Sequence, residues 1–459
     1  MKKLNIIAIT SAAVLMSSCG LYNRYERPDV ATDNIMRDAE QYANTTDSTS
    51  FGDVEWREVF TDTQLQQLIE KGLEKNVDVM NAALSVEMAE AQLKSARLAF
   101  LPSFAFAPNG TLSKMLAHNT EWSKTYTMPV TASWNVDLFG SLLSQNRSSK
   151  VAFIATQDQE QAVRSRVVCG IANCYYTLLM LDRQLEILTD MEKLTKDTWD
   201  MMKLQKELSR TRETSVLSAE ASHLDVKAQI VDMKRQIHEV ENTLSLLVGQ
   251  QAQGIVRGKL ASQQLPEKFS AGVEISLLAS RPDIHAAEMA LAQCFYGIQT
   301  ARSRFYPALN LTATGTYTNN LGVVQNPGQI LLNFVGSLTQ PIFQNGKLIA
   351  GLKVAKAQYE QAYNKWQYAI LSAGSEVSDA LVQYNSSNEK GTIDRQQVEV
   401  RRKNVTHTQD LFKMGSSTYL EVITAQQQLL NAEISQVTDD FNKMQAVVNL
   451  YSALGGGRK

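Results

Sequence analysis

Proline is scarce and unevenly placed: nine occur in 459 residues, none between Pro129 and Pro266 and none after Pro341. An interior proline breaks a helix, so both gaps admit uninterrupted helices. Aromatic residues make up only 7% of the chain, while Ala, Leu, Gln and Glu are abundant, a helix-rich composition. Neither sign of charge is in excess: 45 Lys and Arg oppose 47 Asp and Glu, for a formal net charge of −2. That balance excludes a nucleic-acid binder and a disordered tail, and 44% hydrophobic residues supply a large core. Past residue 20 no run of 18 or more apolar residues occurs. A transmembrane helix is thereby excluded, and a membrane crossing requires β-strands closed into a barrel.

Cysteine is also rare. Cys169, Cys174 and Cys294 stand alone on helical stretches without metal spacing and read as buried free thiols. The histidines (His118, His223, His238, His285, His407) do not cluster, and no nucleotide loop or nucleophile triad is present. No catalytic residue, cofactor or metal is therefore expected. The methionines are scattered rather than paired, so a copper or silver cargo is not favoured over a drug.

The fourth cysteine belongs to a targeting segment. Lys2 and Lys3 precede an apolar run, Leu4–Met16, and Met16-Ser17-Ser18-Cys19 has the form of a bacterial lipobox. Residues 1–18 read as a signal peptide and Cys19 as a lipidated first residue; an ordinary signal peptide with an incidental cysteine is the alternative.

What the chain does contain is a duplication. Ala96-Arg97 and Pro102 return as Ala301-Arg302 and Pro307, 205 residues on, as does Asp78 in Asp283. Val216–Ala219 ("VLSA") returns as Val422–Ala425 ("VITA") and Gly249 as Gly455, both 206 on. A repeat of that length is a duplicated domain rather than a stacked solenoid. Helix is expected from about Asp62 to Phe100, stopped by Pro102.

The period then changes. Met128, Val130, Ala132, Trp134, Val136 and Leu138 alternate with Thr127, Thr131, Ser133, Asn135 and Asp137, and Leu309, Leu311 and Ala313 alternate with Asn310, Thr312 and Thr314. A weaker alternation follows at Ile330, Leu332 and Phe334. Strands are expected at about 103–139 and 308–342, two in each half. Pro129 would suit a bulge or strand end, and Pro108-Asn109-Gly110 and Asn326-Pro327-Gly328 would connect the pairs. Each strand is about 10 residues, long enough to cross a bilayer when tilted. The Thr, Ser, Asn and Asp face, with Asp137 and Asn135, suits a wet lumen, though a small soluble sheet would also alternate.

Long helices follow. Leu142–Leu208 spans about 100 Å at about 1.5 Å per residue. The return helices step by 3 and 4: Ile230, Met233, Ile237, Val240, Leu244, Leu247 in the first half and Leu430, Ile434, Val437, Phe441, Met444, Val448, Tyr451 in the second. This is a left-handed coiled-coil period. Apolar residues off the stripe (Val231, Leu429, Val447) suit staves with two neighbours; a two-stranded coiled-coil hairpin is the plainer alternative.

Several segments resemble the TolC-like outer-membrane factor family, in the lipoprotein branch serving resistance–nodulation–division efflux pumps. They are "WREVFTDTQLQQLIEKGLEKNVDV" from Trp56, "SRPDIHAAEMAL" from Ser280, "ARSRFYPALNLTATGTY" from Ala301, "FKMGSSTYLEVITAQQQLLNAE" from Phe412 and "VNLYSALGGG" from Val448. The resemblance implies a mainly α fold with a membrane β-barrel. Duplicated long helical hairpins would form a trimeric α-barrel, and four strands per protomer a twelve-stranded barrel. It implies a lipid-anchored arm (19–60), a first repeat (61–250), an equatorial linker (251–280) and a second repeat (281–459). It places the protein in the bacterial outer membrane with its helices in the periplasm. It implies a passive homotrimeric duct for small molecules, partnered by the bilayer, a periplasmic adaptor and an inner-membrane pump. Ducts for protein secretion, or a non-conducting lipid-anchored coiled-coil adaptor, are the competing readings.

The resemblance further implies a periplasmic gate at Leu420, Glu421 and Thr424, with hairpin tips at Gly415 and Ser209. Three Glu421 carboxylates around one axis would attract cations; a solvated helix residue is the alternative. Where the family tends to place glycine this chain has Ser209, and where it has an aspartate this chain has Thr424. Arg210 and Arg212 are expected to meet the adaptor or a neighbouring hairpin, unless they are simply exposed. Arg281, Pro282 and Asp283 read as a helix start with capping and an ion pair.

Overall fold

The computed structural model describes residues 22–29, 51–114, 122–264, 266, 281–319 and 329–457, without the side chains of Ser123, Thr318, Asn319 and Gln329. The signal peptide, Cys19 and Asn326-Pro327-Gly328 lie outside the described residues. The chain forms two compact units. One comprises Met1–Val30, Ser85–Gln157 and His285–Tyr368, the other Ala31–Leu84, Asp158–Ile284 and Ala369–Lys459.

The elements are α1 (Trp56–Val59), α2 (Thr63–Lys75), α3 (Val77–Leu98), β1 (Ser103–Phe106), β2 (Asn109–Ser113), β3 (Ser123–Val136), α4 (Ser141–Glu207) and α5 (Glu213–Leu247). There follow α6 (Pro282–Ser303), β4 (Ala308–Asn319), β5 (Gln329–Thr339), α7 (Lys347–Lys413) and α8 (Tyr419–Ala453). The repeat is visible in the lengths: α4 and α7 have 67 residues each, α5 and α8 have 35 each. No described helix is long and apolar enough to cross a membrane.

The helix expected from Asp62 to Phe100 is two helices. Asp62 caps α2, its carboxylate accepting from the Gln64 N–H at 2.8 Å. The helix then stops at Asn76, whose Oδ1 accepts from the N–H groups of Asp78 (2.8 Å) and Val79 (3.2 Å) and so starts α3. Asparagine offers the backbone this local alternative to a helical bond, which periodicity does not register.

The sheet of the first unit is antiparallel, in the order β1-β3-β4-β5, with β2 also on β3. β1 and β2 share one register on β3 (Ser103↔Ser133, Asn109↔Thr127), so they are one strand interrupted at Ala107–Pro108. Pro108-Asn109-Gly110 therefore lies along the strand and is not the connection. Pro129 is neither at a bulge nor at an end. It sits inside β3, and its carbonyl accepts from Ala107 N–H at 3.3 Å. In an antiparallel ladder a residue's N–H and C=O point the same way, so the missing proline N–H faces the interruption and the ladder to β4 loses no bond.

The second unit is held by an aromatic core. Trp56, Phe60, Tyr175, Tyr176 and Tyr451 are fully buried. Phe60 meets Tyr451 edge-on at 5.8 Å, and Phe51 meets Tyr451 at 5.4 Å. The Tyr451 hydroxyl donates to the Val54 carbonyl at 2.8 Å, which satisfies the one polar atom the ring carries inward. On α8 the predicted stripe is buried at Leu430, Val437, Phe441, Val448 and Tyr451, and so are the off-stripe Leu429 and Val447. On α5 the off-stripe Val231 stays 67% exposed.

Candidate functional site

Cross-strand partners point to the same face of a sheet. The register aligns Phe104, Ala132, Ala313 and Phe334; it likewise aligns Phe106, Val130, Gly315 and Leu332, and Met128, Tyr317 and Ile330. One face is therefore apolar over most of its area, with Lys124 near its end. Much of it is open to solvent, with Phe334 80% and Phe104 74% exposed. The opposite face carries Thr127, Thr131, Ser133, Asn135, Asn310, Thr312, Thr314 and Asn333. Asn135 pairs with Asn310 there. Asp137 does not belong to that face: its carboxylate accepts from the Leu143 N–H at 2.8 Å and caps α4. The free edges of the described sheet are β1/β2 on one side and β5 on the other.

Residues 22–29, just past Cys19, are fixed within the same unit. Arg27 forms a two-pronged pair with the buried Glu288 on α6, with Nε at 2.8 Å from Oε1. Tyr22 donates to the Leu138 carbonyl at 2.8 Å, and Arg147 donates to the Tyr22 and Asn23 carbonyls at 3.0 and 3.2 Å. Nothing local in the sequence signals these contacts, because each partner is over a hundred residues away.

The hairpin tips lie in the second unit. Ser209 has φ +55° and Gly415 φ +77°, so both turns use the left-handed conformation. Both close identically: Arg210 N–H donates to the Gln205 carbonyl at 2.8 Å, and Ser416 N–H to the Leu411 carbonyl at 2.9 Å. These are the long bonds of a Schellman turn. Glycine adopts that φ freely, whereas serine is strained in it. Met202, Val216, Phe412 and Val422 form a shared apolar cluster beside the tips.

Leu420, Glu421 and Thr424 come together on the exposed side of α8, while Val422 and Ala425 between them are buried. Glu421 also has a structural task. Its carboxylate accepts from the Thr418 N–H at 3.0 Å, while the Thr418 hydroxyl accepts from the Glu421 N–H at 3.4 Å, a capping box. The Ser417 hydroxyl donates to it as well. These hydrogen bonds, first from Ser417 and then from Thr418, hold the Glu421 carboxyl below the usual glutamate value. The Thr-x-x-Glu spacing at 418–421 was a legible signal for this cap.

The first tip lacks such a device. Arg212 occupies the N-cap position of α5 without a side-chain bond. Lys206 pairs with Glu213 across the turn, and Arg210 and Arg212 point outward with no ion pair to a described residue. A cleft of about 1490 Å³ in the second unit is lined by α4, α7, α8, Arg257–Gln264 and Pro266. Several of its charges are paired: Arg257 with Asp182 (2.5 Å) and Glu241 (2.5 Å), Arg402 with Glu433 (2.6 Å), Arg395 with Asp440 (3.6 Å).

The family model described as "Outer membrane efflux protein" matches residues 68–250 and 275–456, one block per repeat. The cation efflux system protein CusC of Escherichia coli K12 is 26% identical over 462 residues, covering 97% of this chain and 98% of CusC. The probable outer membrane lipoprotein SilC of Salmonella typhimurium is 25% identical over 468 residues, covering 100% and 99%. The open-state structure of the MtrE outer membrane channel of Neisseria gonorrhoeae superposes with TM-score 0.85 at 26% identity, over 95% of this chain and 98% of that one.

Proposed function

The chain belongs to the outer membrane efflux protein family, and from that membership we propose that this outer-membrane efflux channel works as a passive homotrimeric duct. The sheet carries the reading. It has an apolar face, a polar face and two free edges, and no described helix is long and apolar enough to span a membrane. Three copies joined edge to edge give a closed barrel of twelve strands, apolar toward lipid and polar toward water. Lipidated Cys19 anchors the arm, and residues 22–29 tie that anchor to the barrel unit.

The helices enclose the periplasmic part of the duct, and the exposed Leu420, Glu421 and Thr424 face lines its narrow end. There each Glu421 does two jobs, closing its helix cap and presenting negative charge to the axis, and three such charges favour cations. Thr424 adds no charge, so Glu421 supplies the selectivity alone. Gly415 and Ser209, with Arg210 and Arg212 beside the latter, meet the tip of a periplasmic adaptor, which links the duct to an inner-membrane resistance–nodulation–division pump. The pump supplies energy and chooses the cargo.

The test is ion selectivity. Reversal potentials across planar bilayers should show cation preference in the wild type and a weaker preference in Glu421→Gln, which keeps a hydrogen-bonding side chain in the cap. Equal selectivity in both would remove Glu421 from the gate, and a single-chain mass in detergent would overturn the trimer.

A further inference from the structure

We propose that Asp394 on α7 and Asp439 on α8 hold one proton between them, and that this proton fastens the two helices of the second hairpin together part-way along their length. Both groups are buried, Asp439 at 4% and Asp394 at 8% exposure. The cross-helix contacts from Lys390 to Asp439 and from Arg395 to Asp440 set Asp394, which lies one turn after Lys390 and next to Arg395, beside Asp439, and no donor group reaches the Oδ2 atom of either acid. Two adjacent negative charges out of water do not both persist, so one of the two acids keeps its proton and can donate it to the other. The pair lies 21 residues from each side of the turn (Gly415 and Thr418), roughly 30 Å along the hairpin at about 1.5 Å per residue.

The surrounding charges leave one acid unmatched. From α7, Lys390 Nζ donates to Asp439 Oδ1 at 2.9 Å, and Arg395 is engaged with Asp440 at 3.6 Å. From α8, Asn442 donates to Asp439 at 3.4 Å, and Lys443 is turned to Asn388 at 2.8 Å. From α4, the neutral Gln184 donates to Thr438 at 3.2 Å, and the adjacent Arg183 is committed to Glu186 at 2.7 Å. One lysine thus serves two carboxyls. Among the described residues no group of three or more His, Cys, Asp or Glu is arranged to hold a metal ion.

The donors decide which acid keeps the proton. Burial, and then the bond to Asp439, push the Asp394 carboxyl up. Burial also pushes Asp439 up, but the bonds from Asp394 and Lys390 outweigh it and hold that carboxyl down. Asp394 is therefore the protonated donor and Asp439 the charged acceptor. A group whose folded value is raised stabilises the fold fully below its unfolded value, and that contribution is lost as pH rises through the folded value. The hairpin accordingly loosens at this level as the medium becomes more alkaline, independently of whether the chain conducts.

The experiment is thermal unfolding of the full mature chain in detergent from about pH 4 to about pH 9, with infrared detection of protonated carboxyl groups. The wild-type midpoint should fall as the shared proton is lost, together with a protonated-carboxyl band. Asp394→Asn, whose amide replaces that proton permanently, should abolish both the fall and the band. Lys390→Ala removes a half-exposed side chain; it should move the transition to higher pH by about one unit, because the charged form loses its cation. If Asp394→Asn does not fold, the Lys390→Ala shift decides alone. A pH profile unaltered by either substitution overturns the proposal.

Discussion

In the first repeat, the corner ahead of α3 is held by Asn76, whose amide donates to the Leu247 carbonyl at 2.9 Å. In the second, the corner ahead of α6 is held by Arg281, whose Nη1 donates to the Ala453 carbonyl at 2.7 Å. Asn76 and Arg281 are 205 residues apart, and Leu247 and Ala453 are 206 apart. The same task, satisfying the last carbonyls of the return helix, is therefore done by different chemistry. Asn76 also caps its own helix. Arg281 recruits carboxylates, Asp283 at 2.7 Å and Glu376 at 2.9 Å. Although burial opposes it, the bonds from Arg281 hold the Asp283 carboxyl below the usual aspartate value. The tips differ in the same sense, with Gly415 and a capping box in the second against strained Ser209 and an uncapped Arg212 in the first. Duplication preserved the geometry at both ends of the hairpin, while the second copy acquired stronger polar ties.

That contrast breaks most visibly at the corners. Arg281→Ala leaves the Ala453 carbonyl and the Asp283 carboxylate without their donor and should cost about 3 kcal/mol, against about 2 kcal/mol for Asn76→Ala. Thermal midpoints of the two variants give the order directly. At the tips, Gly415→Ala should destabilise by about 1–2 kcal/mol, because an L side chain enters the left-handed region, and Ser209→Gly should stabilise by about 1 kcal/mol. Smaller again, Thr418→Ala should cost about 1 kcal/mol, while Arg212→Asp should give the first tip the cap it lacks and gain a few tenths. Hydrogen exchange at the first turns of α5 and α8 resolves these effects.

The slightest effect is on pH dependence. The Glu421 carboxyl is held below its unfolded value, so its contribution is present above that value and is lost as pH falls through the folded one. Exchange protection of the second tip should therefore weaken in acid. Glu421→Gln should have the flatter acid profile.

Much of this was legible from spacing. The proline-free gaps admitted a long helix at Leu142–Leu208, and α4 spans Ser141–Glu207. Alternation found β3 and β4, and the cross-strand register then gathered the apolar positions onto one face. What escaped was local polar competition and long-range pairing. Asn76 breaks a helix whose periodicity runs straight through it, and Asp137 continues the strand alternation yet caps α4. The interruption at Ala107–Pro108 makes sense only beside Pro129 in the neighbouring strand. The contacts of residues 22–29 depend on partners such as Glu288, which no window of sequence contains. At the tip, clustering of Leu420, Glu421 and Thr424 follows from helical spacing, whereas the cap needed the Thr418–Glu421 motif to be read as well.

The most direct test of the duct is single-channel recording of the purified mature protein in planar bilayers. The account predicts stepwise, cation-preferring currents that scale with the number of inserted trimers. Well-folded, inserted trimers that stay silent even when the tips are loosened by Gly415→Ala with Thr418→Ala would contradict it, and would leave a lipid-anchored helical adaptor in its place.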